Sequence, residues 1–151
     1  MKIVILNSGS SSIKYQLIEM PAQTVVCSGM IDRIGLDNSN LSYTTENNKI
    51  EEIVAIPNHT VGLEKIAALL LDEKVGVIKS TSEIQAVGHR VVHGGSTFSD
   101  IVVITAAVKD KIKQLFDLAP LHNPANLEGI TVAETIFSAA QQVAVFDTAF
   151  H

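Results

Sequence analysis

Residues 3–14 read Ile3-Val4-Ile5-Leu6-Asn7-Ser8-Gly9-Ser10-Ser11-Ser12-Ile13-Lys14. A continuous apolar run gives way to a turn of small polar residues. From Ile13 the chain alternates, with Ile13, Tyr15 and Leu17 on one side and Lys14 and Gln16 on the other. That two-residue period belongs to a half-buried strand. The simplest account is a pair of antiparallel strands, residues 3–6 and 13–17, joined by a loop over residues 7–12. Gly and Ser in such a loop offer backbone N–H groups and hydroxyls to an anion, and Lys14 adds a cation at the start of the second strand. The segment is not a P-loop: the G-x-x-x-x-G-K-[ST] spacing fails, and a strand follows where a helix should. Phosphate binding and a plain hairpin turn both remain open on these residues alone.

Working outward, Pro21-Ala22 turns the chain and residues 24–31 resemble a third strand. Residues 41–45 and 49–56 read as a hairpin across Asn47-Asn48, a pair tolerant of positive φ, and residues 37–40 as a surface turn. The period then changes. Leu63, Ile66, Ala67 and Leu70 follow i, i+3, i+4, i+7, the spacing of a helix starting near Thr60. Residues 86–93 are strand-like and stop at Gly94-Gly95. Thr105 can cap a helix with the stripe Val108, Ile112 and Leu115. Asn123-Pro124 starts another, with Asn as N-cap and Leu127, Ile130, Ala133, Phe137 and Ala140 turned inward. Residues 143–146 form a last buried strand ending at Asp147. Strands first, then strands alternating with helices, indicate one α/β domain over residues 1–151, a mixed sheet with flanking helices.

Composition narrows the function classes. At 151 residues and 46% apolar content the chain can build a core, which excludes wholesale disorder. The net charge is −5, and no block of Lys and Arg stands out, which argues against a nucleic-acid surface. An acidic chain that binds anions must gather its few cations at one place. Cys27 is the single cysteine, so no intramolecular disulfide forms, and its apolar neighbours make it a buried small hydrophobe. The apolar run at residues 3–6 is too short for a signal peptide, and no membrane-spanning stretch exists. The expectation is a soluble, cytoplasmic protein without membrane partners.

Further segments carry chemistry. In Val87-Gly88-His89-Arg90-Val91-Val92-His93-Gly94-Gly95, two histidines at i and i+4 invite a metal reading. The β-branched residues favour a strand, on which His89 and His93 stand roughly 13 Å apart, too far to share one ion. Alternation then puts Arg90 and Val92 together on the other face. A guanidinium beside an apolar side chain suits a small amphiphilic carboxylate; a structural ion pair is the other reading. In Ala119-Pro120-Leu121-His122-Asn123-Pro124, His122 precedes a helix start, where free N–H groups and the helix dipole favour an anion; a structural or merely exposed histidine is the other reading. In Val143-Ala144-Val145-Phe146-Asp147-Thr148-Ala149-Phe150-His151, Asp147 ends a buried strand, the usual place for a catalytic or metal-orienting acid in an open α/β sheet. A plain surface acid is the alternative.

Taken in order, these strings resemble signatures of the acetate kinase (acetokinase) family, within the actin-like and hexokinase-like ATPase superfamily. Ser96 departs from the acidic residue expected after the glycine pair. The resemblance implies a ribonuclease H-like (actin-like ATPase) fold, and reversible phosphoryl transfer between ATP and acetate giving acetyl phosphate and ADP, with Mg2+. Carried over by motif, Asn7, Ser10, Ser12 and Lys14 line the phosphate and magnesium region, with Asn7 nearest the metal. Arg90 stabilises the transferring group and the carboxylate, Val92 and Leu121 wall the alkyl pocket, His122 donates to phosphoryl oxygens, and Asp147 orients acid and metal. It also implies direct in-line transfer, a homodimer for the full-length enzyme, and a chain that continues past His151 into a C-terminal lobe. This lobe alone is expected to be inactive. A propionate or butyrate kinase, or a non-catalytic anion-binding lobe, are the competing readings.

Overall fold

The computed structural model describes residues 1–91, 101–104, 107 and 123–146. Five strands open the chain: β1 Lys2–Ser8, β2 Ile13–Glu19, β3 Thr24–Asp32, β4 Ser39–Thr45 and β5 Lys49–Val54. Helix α1, His59–Leu71, follows, then a single 3-10 turn at Thr81–Glu83. The remaining elements are β6 Ile84–Val91, β7 Ile101–Val103, helix α2 Asn123–Ile136 and β8 Gln141–Phe146. The strands form one sheet in the order β5-β4-β3-β2-β1-β6-β8-β7. β1 through β5 pair antiparallel in succession, β1 pairs β6 and β6 pairs β8 in parallel, and β7 closes antiparallel on β8. Three antiparallel strands continued by two parallel ones, β3-β2-β1-β6-β8, make the sheet of a ribonuclease H-like, actin-like α/β domain.

The strand period decides which face is core. Val4, Leu6 and Ser8 on β1 lie opposite Leu17, Tyr15 and Ile13 on β2, and all of them are buried. Helix α1 lies over this face through Leu63, Ile66, Ala67 and Leu70, the side chains its spacing predicted. Each fully buried Leu or Ile contributes about 1.5–3 kcal/mol relative to exposure. Asn58 caps the helix: its side chain accepts the Val61 N–H at 2.9 Å. At the other end the Asp72 carboxylate accepts the N–H groups of Val75 and Lys74, which holds its pKa below the usual carboxylate range. Helix α2 packs on α1, β1 and β6, with Ile130 and Ala133 buried on it and Phe137 buried just past its end.

Several sequence expectations shift in detail. The first strand runs on through Asn7 and Ser8, so the loop is residues 9–12 rather than 7–12, and Asn7 pairs with Lys14 in the ladder. Asn123 stands as the first helical residue of α2, and Phe137 and Ala140 fall in the turn after its end. Ser39 is not part of a surface turn. It is the buried first residue of β4, and its hydroxyl donates to the carbonyls of Arg33 and Leu36. β7 went unread, because three consecutive apolar residues at a sheet edge carry no period. The helix expected after Thr105 lies outside the described residues, Ala107 excepted, which is helical.

One mid-strand glycine is set by packing. Gly29 lies between Tyr15 and Tyr43 across the ladder. A Cβ there would overlap the Ser42 carbonyl oxygen and the Tyr15 hydroxyl, and that hydroxyl donates to the same carbonyl at 2.6 Å. Gly29→Ala therefore displaces an aromatic ring and breaks its hydrogen bond, at a cost of about 3 kcal/mol. Urea unfolding should show a lower midpoint with an unchanged slope; an unaltered midpoint would refute the packing account.

Candidate functional site

The face opposite the helices is open, and strand parity sends the charged candidates to it. On β1, Ile5 and Asn7 face away from the core; on β2 their partners are Gln16 and Lys14. On β6, Val87 and His89 pair with Val4 and Leu6 and are buried under the helices, so Arg90 emerges on the open side. Lys14 and Arg90 thus flank Asn7 from the two strands beside β1. Strands lie about 4.8 Å apart, so the two cationic strands are separated by about 10 Å. Asn7, Lys14 and Arg90 line one cavity of about 450 Å³, together with Ile5, Gln16 and Met30 among others.

The loop of residues 9–12 closes the β1–β2 hairpin two positions beyond Asn7 and Lys14, and none of its residues lines this cavity. Gly9 N–H donates to the Ser12 carbonyl at 2.9 Å, and Ile34 N–H donates to the Ser11 carbonyl at 2.9 Å. Ser10 is exposed and Ser12 half-buried. Ser8 belongs elsewhere: its hydroxyl is buried against α2, where a Cβ on Gly129 would stand 2.8 Å from it. It finds no hydrogen-bond partner among the described residues. The serine string is therefore divided between two faces, with Ser8 on the core side.

His89 is not a metal ligand. Its Nε2 meets the Gln142 side-chain oxygen at 2.6 Å in the core. Burial pushes its pKa down to about 4, opposed by the Gln142 hydrogen bond and the charge of Glu134. The imidazole is neutral at physiological pH and ties β6 to β8 directly beneath the strand position that presents Arg90. Cys27 is buried, and desolvation raises its thiol to about 11, as a core residue requires.

Of the residues expected at the site, Asn7, Lys14 and Arg90 come together on the open face, with Ser10 and Ser12 on the adjoining loop. Val92, Leu121, His122 and Asp147 lie outside the described residues. One residue escaped the sequence reading altogether. His59, the first residue of α1, is buried, and its Nε2 lies 2.7 Å from the Gly9 carbonyl oxygen. A lone histidine fifty positions away from the loop gives no local signal; only the packed fold joins them.

The described lining of the cavity supplies cationic groups for a polyphosphate and no carboxylate for a metal ion. Magnesium is usually held by one or two carboxylates plus phosphate oxygens. Among the described residues lining the cavity, Asn7 offers a neutral carbonyl oxygen, and Lys14 and Arg90 carry charge suited to phosphate.

Comparison with known proteins agrees with this architecture. The acetokinase family model matches residues 2–151. An acetate kinase from Flavobacterium johnsoniae is 68% identical over 151 residues, covering 100% of this chain and 38% of that protein. One from Symbiobacterium thermophilum is 52% identical over the same coverage. The crystal structure of Porphyromonas gingivalis acetate kinase superposes with a TM-score of 0.93 at 48% identity, over 99% of this chain and 38% of that one. A propionate kinase from Francisella tularensis superposes at 0.88 with 40% identity, over 99% and 38% of the two chains. The chain thus spans 38% of the length of these relatives. With the family model matched along nearly its whole length and the sheet superposing on solved members, the chain belongs to the acetokinase family.

Proposed function

We propose that this chain forms the N-terminal lobe of an acetate kinase, which transfers the terminal phosphoryl group of ATP to acetate and runs the reaction in both directions. The observation that carries the reading is the convergence of Lys14, Arg90 and Asn7 on one open face, in a protein of net charge −5. Phosphoryl transfer asks little covalent chemistry of a protein. It needs the reactants held in line and the charge on the equatorial oxygens neutralised.

In this reading the loop of residues 9–12, with Ser10, Ser12 and Lys14, holds nucleotide phosphates. Arg90 spans the transferring group and the acid's carboxylate with its planar fork of donors. Val92 and Leu121 enclose the alkyl end, His122 donates to phosphoryl oxygens, and Asp147 orients the acid. Magnesium, arriving with ATP, would be held near Asn7 and would neutralise phosphate charge. A second lobe supplies the rest of the cleft, and the full-length enzyme works as a homodimer in the cytoplasm.

Propionate is the competing acid, because a propionate kinase shares 40% identity and the same lobe architecture. The test is to purify the full-length protein and follow acyl phosphate formation from ATP, magnesium and each of acetate, propionate and butyrate. The proposal expects acetate to give the highest kcat/KM. A preference for a longer acid would reassign the substrate, and no acyl phosphate from any of them would overturn the reading.

A further inference from the structure

The turn joining β1 to β2 is held unusually. In a tight hairpin, the first and last loop residues exchange two backbone hydrogen bonds. Here Gly9 N–H reaches the Ser12 carbonyl. Among the described residues, however, the reciprocal bond from the Ser12 N–H to the Gly9 carbonyl is not formed. That carbonyl lies instead 2.7 Å from His59 Nε2. Since a carbonyl only accepts, His59 must carry its proton on Nε2 and donate it. The Ser11 carbonyl is likewise taken, by the Ile34 N–H. The carbonyls of Gly9, Ser11 and Ser12 are thus all committed to protein donors, while the N–H groups of Ser10, Ser11 and Ser12 have no backbone acceptor among the described residues. Successive N–H groups left open in a turn form an anion-binding concavity.

We infer that His59 is a positioning residue for nucleotide phosphate: by donating to the Gly9 carbonyl it replaces the turn's own hydrogen bond and leaves the Ser12 N–H, with those of Ser10 and Ser11, open to a phosphate oxygen. The inference rests on the phosphotransferase reading above. His59 suits the task because its own place is fixed. It is buried, it begins α1, and Asn58 caps that helix one residue earlier. The loop is therefore pinned to the helical layer rather than to its neighbouring strand. His59 never touches the substrate in this account; it determines which way the loop's dipoles point.

The test uses the full-length protein with His59→Leu, which removes the donor but keeps apolar bulk, and His59→Gln, whose side-chain amide can still donate. Two readouts are needed. Steady-state kinetics should show the KM for ATP rising about tenfold in His59→Leu, with the KM for acetate within about twofold of wild type, and recovery of most of the loss in His59→Gln. Amide hydrogen exchange without nucleotide should show the Ser12 N–H more protected in His59→Leu than in wild type, because the turn recaptures it. Loss of packing alone would do the opposite and expose the whole loop. An unchanged KM for ATP in an active His59→Leu protein, or equal rises for both substrates with a less protected Ser12, would overturn the inference. If His59→Leu fails to fold, His59→Gln decides through the same pair of readouts: a retained donor keeps the KM for ATP within about threefold of wild type and Ser12 no more protected, and a rise of about tenfold in that KM without added Ser12 protection would overturn the inference. An inactive wild type would overturn the phosphotransferase reading itself, and with it His59's assignment to that reaction; the Ser12 exchange comparison would still report whether the turn geometry is right.

Discussion

Arg90→Ala is expected to lower kcat of the full-length protein by about two to three powers of ten, equivalent to roughly 3–4 kcal/mol of transition-state stabilisation. The expectation follows from where β6 delivers the side chain. Arg90 is exposed on the open face across β1 from Lys14, and both line the cavity shared with Asn7. Its guanidinium is always charged and offers a planar fork of donors to phosphoryl or carboxylate oxygens. A lysine replacement keeps the charge but loses the fork, so Arg90→Lys should recover only part of the loss. Val92→Ala supplies the contrast. On the proposal that Val92 walls the alkyl pocket, removing its methyl groups should relax the preference for acetate over propionate by about 1–3 kcal/mol, with little change in kcat. The two variants are compared by kcat and by kcat/KM on both acids. Equal losses for both, with selectivity unmoved, would remove the roles assigned to them.

This 151-residue lobe, produced alone, should fold cooperatively and yet form no measurable acetyl phosphate. Among the described residues the core is continuous: the sheet's inner face is buried against α1 and α2, from Val4 and Leu6 through Ile66 and Leu70 to Phe137. A chain of this size with a continuous core is an ordinary folding unit. Catalysis is another matter. The chain spans 38% of its relatives' length, and the cavity at Asn7, Lys14 and Arg90 is open to water on the side away from the sheet. Phosphoryl transfer draws much of its acceleration from holding two reactants in line, which one wall of a cleft cannot do. Phosphate contacts facing solvent are also weakened by salt. Circular dichroism with a melting transition checks folding, and a coupled assay with ATP, magnesium and acetate checks turnover. Turnover near that of the full-length protein, abolished by Arg90→Ala, would mean that the lobe carries a sufficient site.

Where local pattern decided structure, the sequence was readable. The switch from an apolar run to alternation at Ile13 predicted the β1–β2 hairpin, and the Leu63–Ile66–Ala67–Leu70 spacing predicted α1 and its buried stripe. Strand parity through Gly88, His89 and Arg90 separated a core imidazole from a cleft guanidinium. What local pattern could not supply was long-range pairing. His59 on Gly9 and Ser39 on Arg33 and Leu36 depend on elements brought together only by tertiary packing. The limits of the loop were misjudged because Asn7 and Ser8 are polar, and polar residues favour turns; the ladder to Lys14 and Ile13 overrides that preference. Strand β7 has the opposite defect, being apolar throughout and too short to show a period.

The neighbouring positions His89 and Arg90 tie the integrity of the core to that of the cleft. Because a strand alternates faces at every step, sliding β6 by one position against β1 and β8 would drive a guanidinium beneath the helices and turn the imidazole out to solvent. A buried, unpaired guanidinium is among the costliest defects a fold can carry. A misaligned β6 is therefore expected to cost folding and not activity alone. The β1–β6 ladder does absorb one irregularity, beside Ile3, so the constraint falls on the regularly paired stretch from Ala86 to His89 and on the position that follows it.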